Sequence, residues 1–392
     1  MKSLNIAAML LLFFTALLFS CGGTETERIG TYTEEVVDGV KHVHNIEPLW
    51  GIESKVGLEF VQKIGEEEGP DKNLLLYRAN GVAVNKAGEI LIVDGGNKRI
   101  QVFSENGEYL RTIGRQGDGP GEFSSPSKIN FRNDGSFIVS ESMQRFHIFD
   151  KEEKYVKTVT LKKEEPKQFG PLIINISSMD VTSDGLFIES VETVPIDGEA
   201  VIMPLIKLFD LEGNFINDFV EPKKHDILAV TRYDNDINFT IDRDENIIVT
   251  FTTQNRIEKY SKDGELLMKI SRKLNFEEKE PVYLEELRSY TQYPSMISCG
   301  IDIDDKGRIW VCTYIKQPDE IVDGSSEARS KYTRERKSRK DLCQIQVFDQ
   351  DGVLLCNVPV YLNIRNFRIF GDRIYFITWD GIDVHIYRIL ER

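Results

Sequence analysis

The chain has 392 residues, 41% of them apolar and 10% aromatic, enough to bury a large core and to exclude wholesale disorder. Its 49 Lys and Arg stand against 64 Asp and Glu, a net charge of −15 that argues against a general nucleic-acid binder, which needs a basic face to meet phosphates. That length holds two or three ordinary domains or one large repeat domain.

The first element is a leader. Lys2 precedes an apolar run from Leu4 to Phe19, broken only by Asn5 and Thr15 and too short for a comfortable membrane span. It ends in Leu18-Phe19-Ser20-Cys21-Gly22, which resembles a bacterial lipobox. The resemblance implies cleavage after residue 20, a diacylglycerol on Cys21 and, with no acidic residue directly after it, the outer membrane, facing either the periplasm or the outside. Removing residues 1–20 takes away Lys2 and leaves a charge of −16. Residues 21–57 are polar and lack sustained periodicity, and read as a tether between lipid and domain.

From residue 58 the chain repeats. Gly81 to Gly114 carries three short β-branched or alternating runs separated by Lys86-Ala87-Gly88, Gly95-Gly96-Asn97 and Glu105-Asn106-Gly107, then a fourth run from Tyr109 to Ile113. Such pairs tolerate the positive φ of tight hairpins, so the segment predicts a four-stranded meander. The pattern returns over Ile129–Leu161, Met179–Val220, Ile237–Ile270 and Ile301–Val360. Arg365 to Leu390 supplies only three strands. The missing fourth lies at the other end, where Glu59 to Gly65 mirrors Glu108 to Gly114. Closing the ring with that strand protects sheet edges that an open array would expose. The expected architecture is all-β: a six-bladed β-propeller of four-stranded antiparallel blades over residues 58–392, closed by the N-terminal strand.

Gly81-Val82-Ala83-Val84, Ile92-Val93-Asp94, Asn97 to Phe103 and Gly117-Asp118-Gly119-Pro120-Gly121-Glu122-Phe123 resemble an NHL-type propeller repeat. With the lipobox, the chain is similar to the six-bladed propeller lipoproteins of Bacteroidetes. Propellers host many functions, so the resemblance fixes no activity.

Chain direction in a propeller puts the loops from strand two to three, and from strand four to the next blade, on one face. The long insertions Lys162–Asn175, Arg272–Met296, Val191–Met203 and Tyr314–Lys340 all fall in those classes, which marks a binding face. Asn80, Lys128, Ser178, Asn238 and Arg365 lie near first-strand entrances, and Asn97, Arg99, Arg145, Asn255 and Trp379 near turn tips. All are candidate ligand contacts, with structural turn roles as the alternative. Trp379 offers a stacking platform for a sugar. The last insertion carries Arg334, Arg336, Lys337, Arg339 and Lys340, read as a solvated mobile loop, an anion or acidic-glycan contact, or a partner or headgroup contact.

The five histidines do not cluster on first strands, and no nucleophile-elbow, zinc-protease, phosphate-loop or EF-hand motif is present. No catalytic residue, metal ligand or cofactor is assigned. Cys299, Cys312, Cys343 and Cys356 fall one on each strand of the fifth unit, with Cys299 opposite Cys312 and Cys343 close to Cys356. Disulfides, buried free thiols and a metal site are the readings open for them. The functional expectation is a monomeric, lipid-anchored recognition module that takes a glycan, peptide or protein on the insertion-bearing face. The alternatives are a metal-dependent hydrolase or lyase of the gluconolactonase-like propeller type, and a scaffold in an envelope assembly.

Overall fold

The computed structural model describes residues 27–392 apart from 29, 142–144, 163–177, 183–184, 190–192, 197–198, 285, 287–288 and 319–324. The leader, Cys21 and nearly all of the 162–175 insertion lie outside the described residues. Six four-stranded antiparallel blades form a six-bladed β-propeller. Blade one is Ala79–Val84, Ile90–Asp94, Arg99–Phe103 and Tyr109–Ile113. Blade two runs from Pro126–Phe131 through Phe137–Glu141 and Arg145–Phe149 to Tyr155–Thr160. Blade three is Met179–Val181, Gly185–Glu189, Ile206–Asp210 and Phe215–Phe219. Blade four is Ile237–Ile241, Ile247–Phe251, Ile257–Tyr260 and Leu266–Arg272. Blade five is Ser298–Ile303, Ile309–Tyr314, Cys343–Phe348 and Leu354–Pro359.

Blade six closes the ring as expected. Ile364–Phe370, Arg373–Thr378 and Val384–Glu391 are joined by Val56–Ile64, which pairs antiparallel with the last strand from Ile64–Val384 to Val56–Glu391. The mirrored Gly65 is required by shape: its φ is 109°, and a Cβ there would collide with the Ile382 carbonyl. First strands of neighbouring blades touch all the way around, and six apolar clusters fill the six gaps between blades. Phe123, at the end of the Gly117–Phe123 motif, is fully buried in the cluster between blades one and two.

The tether expectation fails for residues 32–50. Tyr32–Val37 and Val40–Asn45 form a hairpin over Asp38 and Gly39, both at positive φ, and its second strand pairs in parallel with Leu266–Arg272 on the outer edge of blade four. The buried Asn45 donates to the Gly352 and Ser271 carbonyls and accepts from the Leu354 amide, joining blades four and five. Leu49 and Trp50 then donate to the Leu354 and Leu355 carbonyls. This stretch is a belt along the outer rim that leads into the closing strand.

Among the described residues there are two helices, α1 (Leu228–Asp234) and α2 (Ser326–Ser338), and both lie in insertions on the face of the two-to-three and inter-blade loops. No helix of the described residues is long and apolar enough to cross a membrane.

Candidate functional site

Four of the nominated residues hold loops. Asn97 and Arg99 both donate to the Asp94 carboxylate and to the Leu75 carbonyl. Arg145 reaches Ser124 and Glu141, and Asn255 exchanges hydrogen bonds with the Arg272 backbone. Their polar groups serve the turns that their positions suggested.

The channel gathers others. Arg365 donates to Asn80 Oδ1 at 2.8 Å, and Lys128 Nζ approaches the Asn80 carbonyl at 3.5 Å. Asn80, Lys128, Ser178 and Asn238 line one cavity on the axis, reached from blades one to four. It holds about 30 Å³, room for one or two waters and not for a substrate. Burial, with the nearby charges of Arg365 and Arg368, pulls the Lys128 ammonium down to about 8, against an opposing pull from Glu189.

The same cavity is lined by Arg368, which was not nominated. This residue donates to Asp302 at 3.1 Å and to Asn130 at 2.7 Å, with Asp180 at 3.9 Å, tying blade six to blades five, two and three. Asp302 also accepts from Thr240 of blade four. A guanidinium thus lies between the inner-strand carboxylates of Asp180 and Asp302. No local sequence signal announces this, because the partners are 62 to 238 residues apart.

The mouth of the channel is built by the insertions. Arg336 and Lys337 of α2 and Arg365 of blade six all lie over the Trp379 ring, at 4.9, 5.4 and 5.9 Å from its centroid. Three cations share one half-buried indole, and the ring face partly offsets their repulsion. The helix is fixed for this. Ser325 caps it by accepting from the Ala328 amide, Arg336 and Lys337 sit in its favourable last turn, and Arg339 bridges Glu335 and Asp341. Tyr332 is buried and stacks on Tyr293 at 4.5 Å, and Asn363 donates to the Lys337 carbonyl. The basic stretch is therefore a docked helix, not a solvated mobile loop. Arg334 and Lys340 stay exposed, and Arg339 is spent on its carboxylates.

An aromatic row continues from α2 across the face. Tyr293 stacks on Tyr290, which meets Tyr233 and Tyr283 and donates from its hydroxyl to the Ala229 carbonyl of α1. Neither this row nor α1 was anticipated. Its residues are scattered over three insertions without a periodic pattern. On the same face His225, Asp234 and Glu280 come together, but Lys223 already lies 3.4 Å from Asp234 and 2.9 Å from Glu280, supplying the cation those carboxylates need.

The cysteine expectation is corrected in register. Cys312 and Cys299 do meet, but Cys343 pairs with Tyr314, and Cys356 sits opposite Val347 on the far side of the third strand. Cys343 lies beside Cys299 instead. All four are free thiols.

Residues 70–170 match the family DUF5128, described as a 6-bladed beta-propeller. No curated protein matches the sequence. Among solved structures, a member of the DUF4221 family from Bacteroides vulgatus aligns with 86% of this chain and 99% of its own at 9% identity and a TM-score of 0.56. An exported protein from Bacteroides fragilis, so described on a provisional basis, aligns over 90% and 99% at 11% identity and 0.54. At these identities the likeness is one of fold. Virginiamycin B lyase from Staphylococcus aureus aligns over 86% and 100% at 11% identity and a TM-score of 0.42, too loosely to inform the site.

Proposed function

We propose that the chain is an exported lipoprotein, carried on the lipid of Cys21 in the outer membrane, and that its NHL-like propeller binds a carboxylate-bearing glycan at the channel mouth. The observation that carries the ligand reading is the convergence of Arg336, Lys337 and Arg365 on the Trp379 ring, beside Lys128, on a protein whose overall charge is −15. An indole offers a flat apolar face to a sugar ring, and guanidinium groups pair bidentately with its carboxylate. The small channel cavity leaves the mouth as the place for a ligand, and the aromatic row through Tyr293 and Tyr290 extends it.

Calorimetric titration with an oligouronide and a neutral oligosaccharide of equal length tests this. The acidic sugar should bind, more weakly as salt rises, and Trp379→Ala or Arg365→Gln should cost at least ~10-fold. Equal binding of both sugars, or binding only of an acidic peptide, overturns the glycan reading. Anchoring is tested apart from it: Cys21→Ser should release the protein from membranes, and a membrane-bound variant counts against the lipid.

A further inference from the structure

Three thiols meet beneath α2, at the insertion-bearing end of blade five. Cys312 pairs with Ile345 and Tyr314 with Cys343, so Cys312 and Cys343 are diagonal neighbours on one face of the sheet. A bulge between Ser298 and Gly300 brings Cys299 to the same side. The Cys299 Sγ lies 2.8 Å from that of Cys312 and 3.9 Å from that of Cys343, and all three sulfurs are within 4.8 Å of one another. Their exposures are 6%, 0% and 6%. Cys356 is outside the group.

We propose that Cys299, Cys312 and Cys343 form a binding site for a divalent thiophilic cation of the zinc class, held as a trithiolate under α2. The donor set selects the ion. Among the described residues neither imidazole nor carboxylate joins the three sulfurs, which excludes oxygen-seeking calcium and magnesium and suits a soft closed-shell cation.

The geometry is close to what such an ion needs. Metal–sulfur bonds of about 2.3 Å at tetrahedral angles place sulfurs roughly 3.8 Å apart. Cys299 and Cys343 already have that spacing, and Cys312 must part from Cys299 by about 1 Å. The bulge at Cys299 is where the strand can yield, because its extra residue is not held in the ladder.

Charge is balanced too. Three thiolates and a divalent ion leave one negative charge. Arg336 of the covering helix acts on Cys299 electrostatically, and its buried Nε has no hydrogen-bond partner among the described residues. On binding, each S–H proton leaves to solvent as a metal–sulfur bond forms, so no oxidant or reductant is involved.

The test titrates the reduced, metal-free full chain with Cd²⁺ under anaerobic conditions and reads the thiolate-to-cadmium ultraviolet band, with Zn²⁺ as competitor. The band should saturate at one equivalent and be displaced by zinc. Cys356→Ser should behave like the parent. Cys299→Ser, Cys312→Ser and Cys343→Ser should each lose the one-equivalent endpoint and at least ~100-fold in affinity, with melting curves reporting that they fold. If a serine variant does not fold, the parent decides alone: no band at one equivalent overturns the proposal. So does a band that survives in the folded serine variants. A Cys299–Cys312 disulfide in the protein isolated from its own host, found by alkylation and peptide mass, overturns it as well.

Discussion

Blades one and five share the same four-stranded ladder, yet they end it differently where strand two turns into strand three. In blade one the last pair is Asp94 with Arg99. The Asp94 carboxylate, 0% exposed, accepts from the Tyr77 amide, from Asn97 and from Arg99, each at 2.8 Å. One side chain thus closes the turn and pins the incoming loop. In blade five the last pair is Tyr314 with Cys343, neither of them a carboxylate. The chain instead leaves the sheet, builds α2, and returns. A clamped turn spends its polar groups on itself, whereas an unclamped one can carry a helix out over the mouth and set cations on Trp379.

Removing the clamp should give the largest effect. Asp94→Ala leaves Arg99 without its carboxylate and the Tyr77 amide without an acceptor, and should cost about 3–5 kcal/mol in denaturant unfolding. A loss below ~1 kcal/mol would make the clamp incidental. Next comes excision of residues 316–341 in favour of a short Gly-containing turn. All six strand pairs from Ile309–Phe348 to Tyr314–Cys343 should survive, but losing the buried Tyr332 and Ala328 should cost about 3 kcal/mol and remove ligand binding. Unchanged stability on melting would return the segment to the status of a dispensable loop.

The smallest effect sharpens the comparison in blade two, where Glu141 plays the part of Asp94. Burial raises its pKa, but hydrogen bonds from His147 and from the Ser125 and Ser124 amides prevail and hold it at about 2, below its ordinary 4.5. Its stabilising contribution is complete above pH 4.5 and is lost as pH falls toward 2. Glu141→Gln should flatten the acid limb of a stability–pH curve by about one proton between those values, with little change in slope above pH 5. An acid limb of parent slope would remove Glu141 from the account.

The ladder was legible because its signals are local. Alternating runs and paired turn residues recur at one spacing, and Glu59–Gly65 copies Glu108–Gly114 closely enough to announce the closing strand. The helix over the mouth was not. In Ser326–Ser338 only Ala328 and Tyr332 are buried among the described side chains, an apolar stripe too thin to stand out in a run of cations. The belt escaped for a similar reason, since Val43 and Asn45 are its only fully buried positions between residues 30 and 50. Arg368 and the Trp379 cluster depend on residues from different blades, which no period within a blade can reveal. The cysteine pairing failed on register: the hairpin turns over Asp349–Val353, later than a turn centred on Asp349–Gly352, and with the bulge at Phe348 this sets Cys356 opposite Val347, four residues from Cys343.

The belt also has a mechanical meaning. Tension on the chain ahead of residue 27 does not reach the closing strand directly. It first peels the hairpin Tyr32–Val37 and Val40–Asn45 from blade four, rung by rung, and then must break the three hydrogen bonds of the Asn45 side chain and those of the Leu49 and Trp50 amides to blade five. Only after that does it load Val56–Ile64. Residues 27–55, pulled straight, span roughly 100 Å. The chain can therefore yield that length by sacrificing its belt, with the ring still shut.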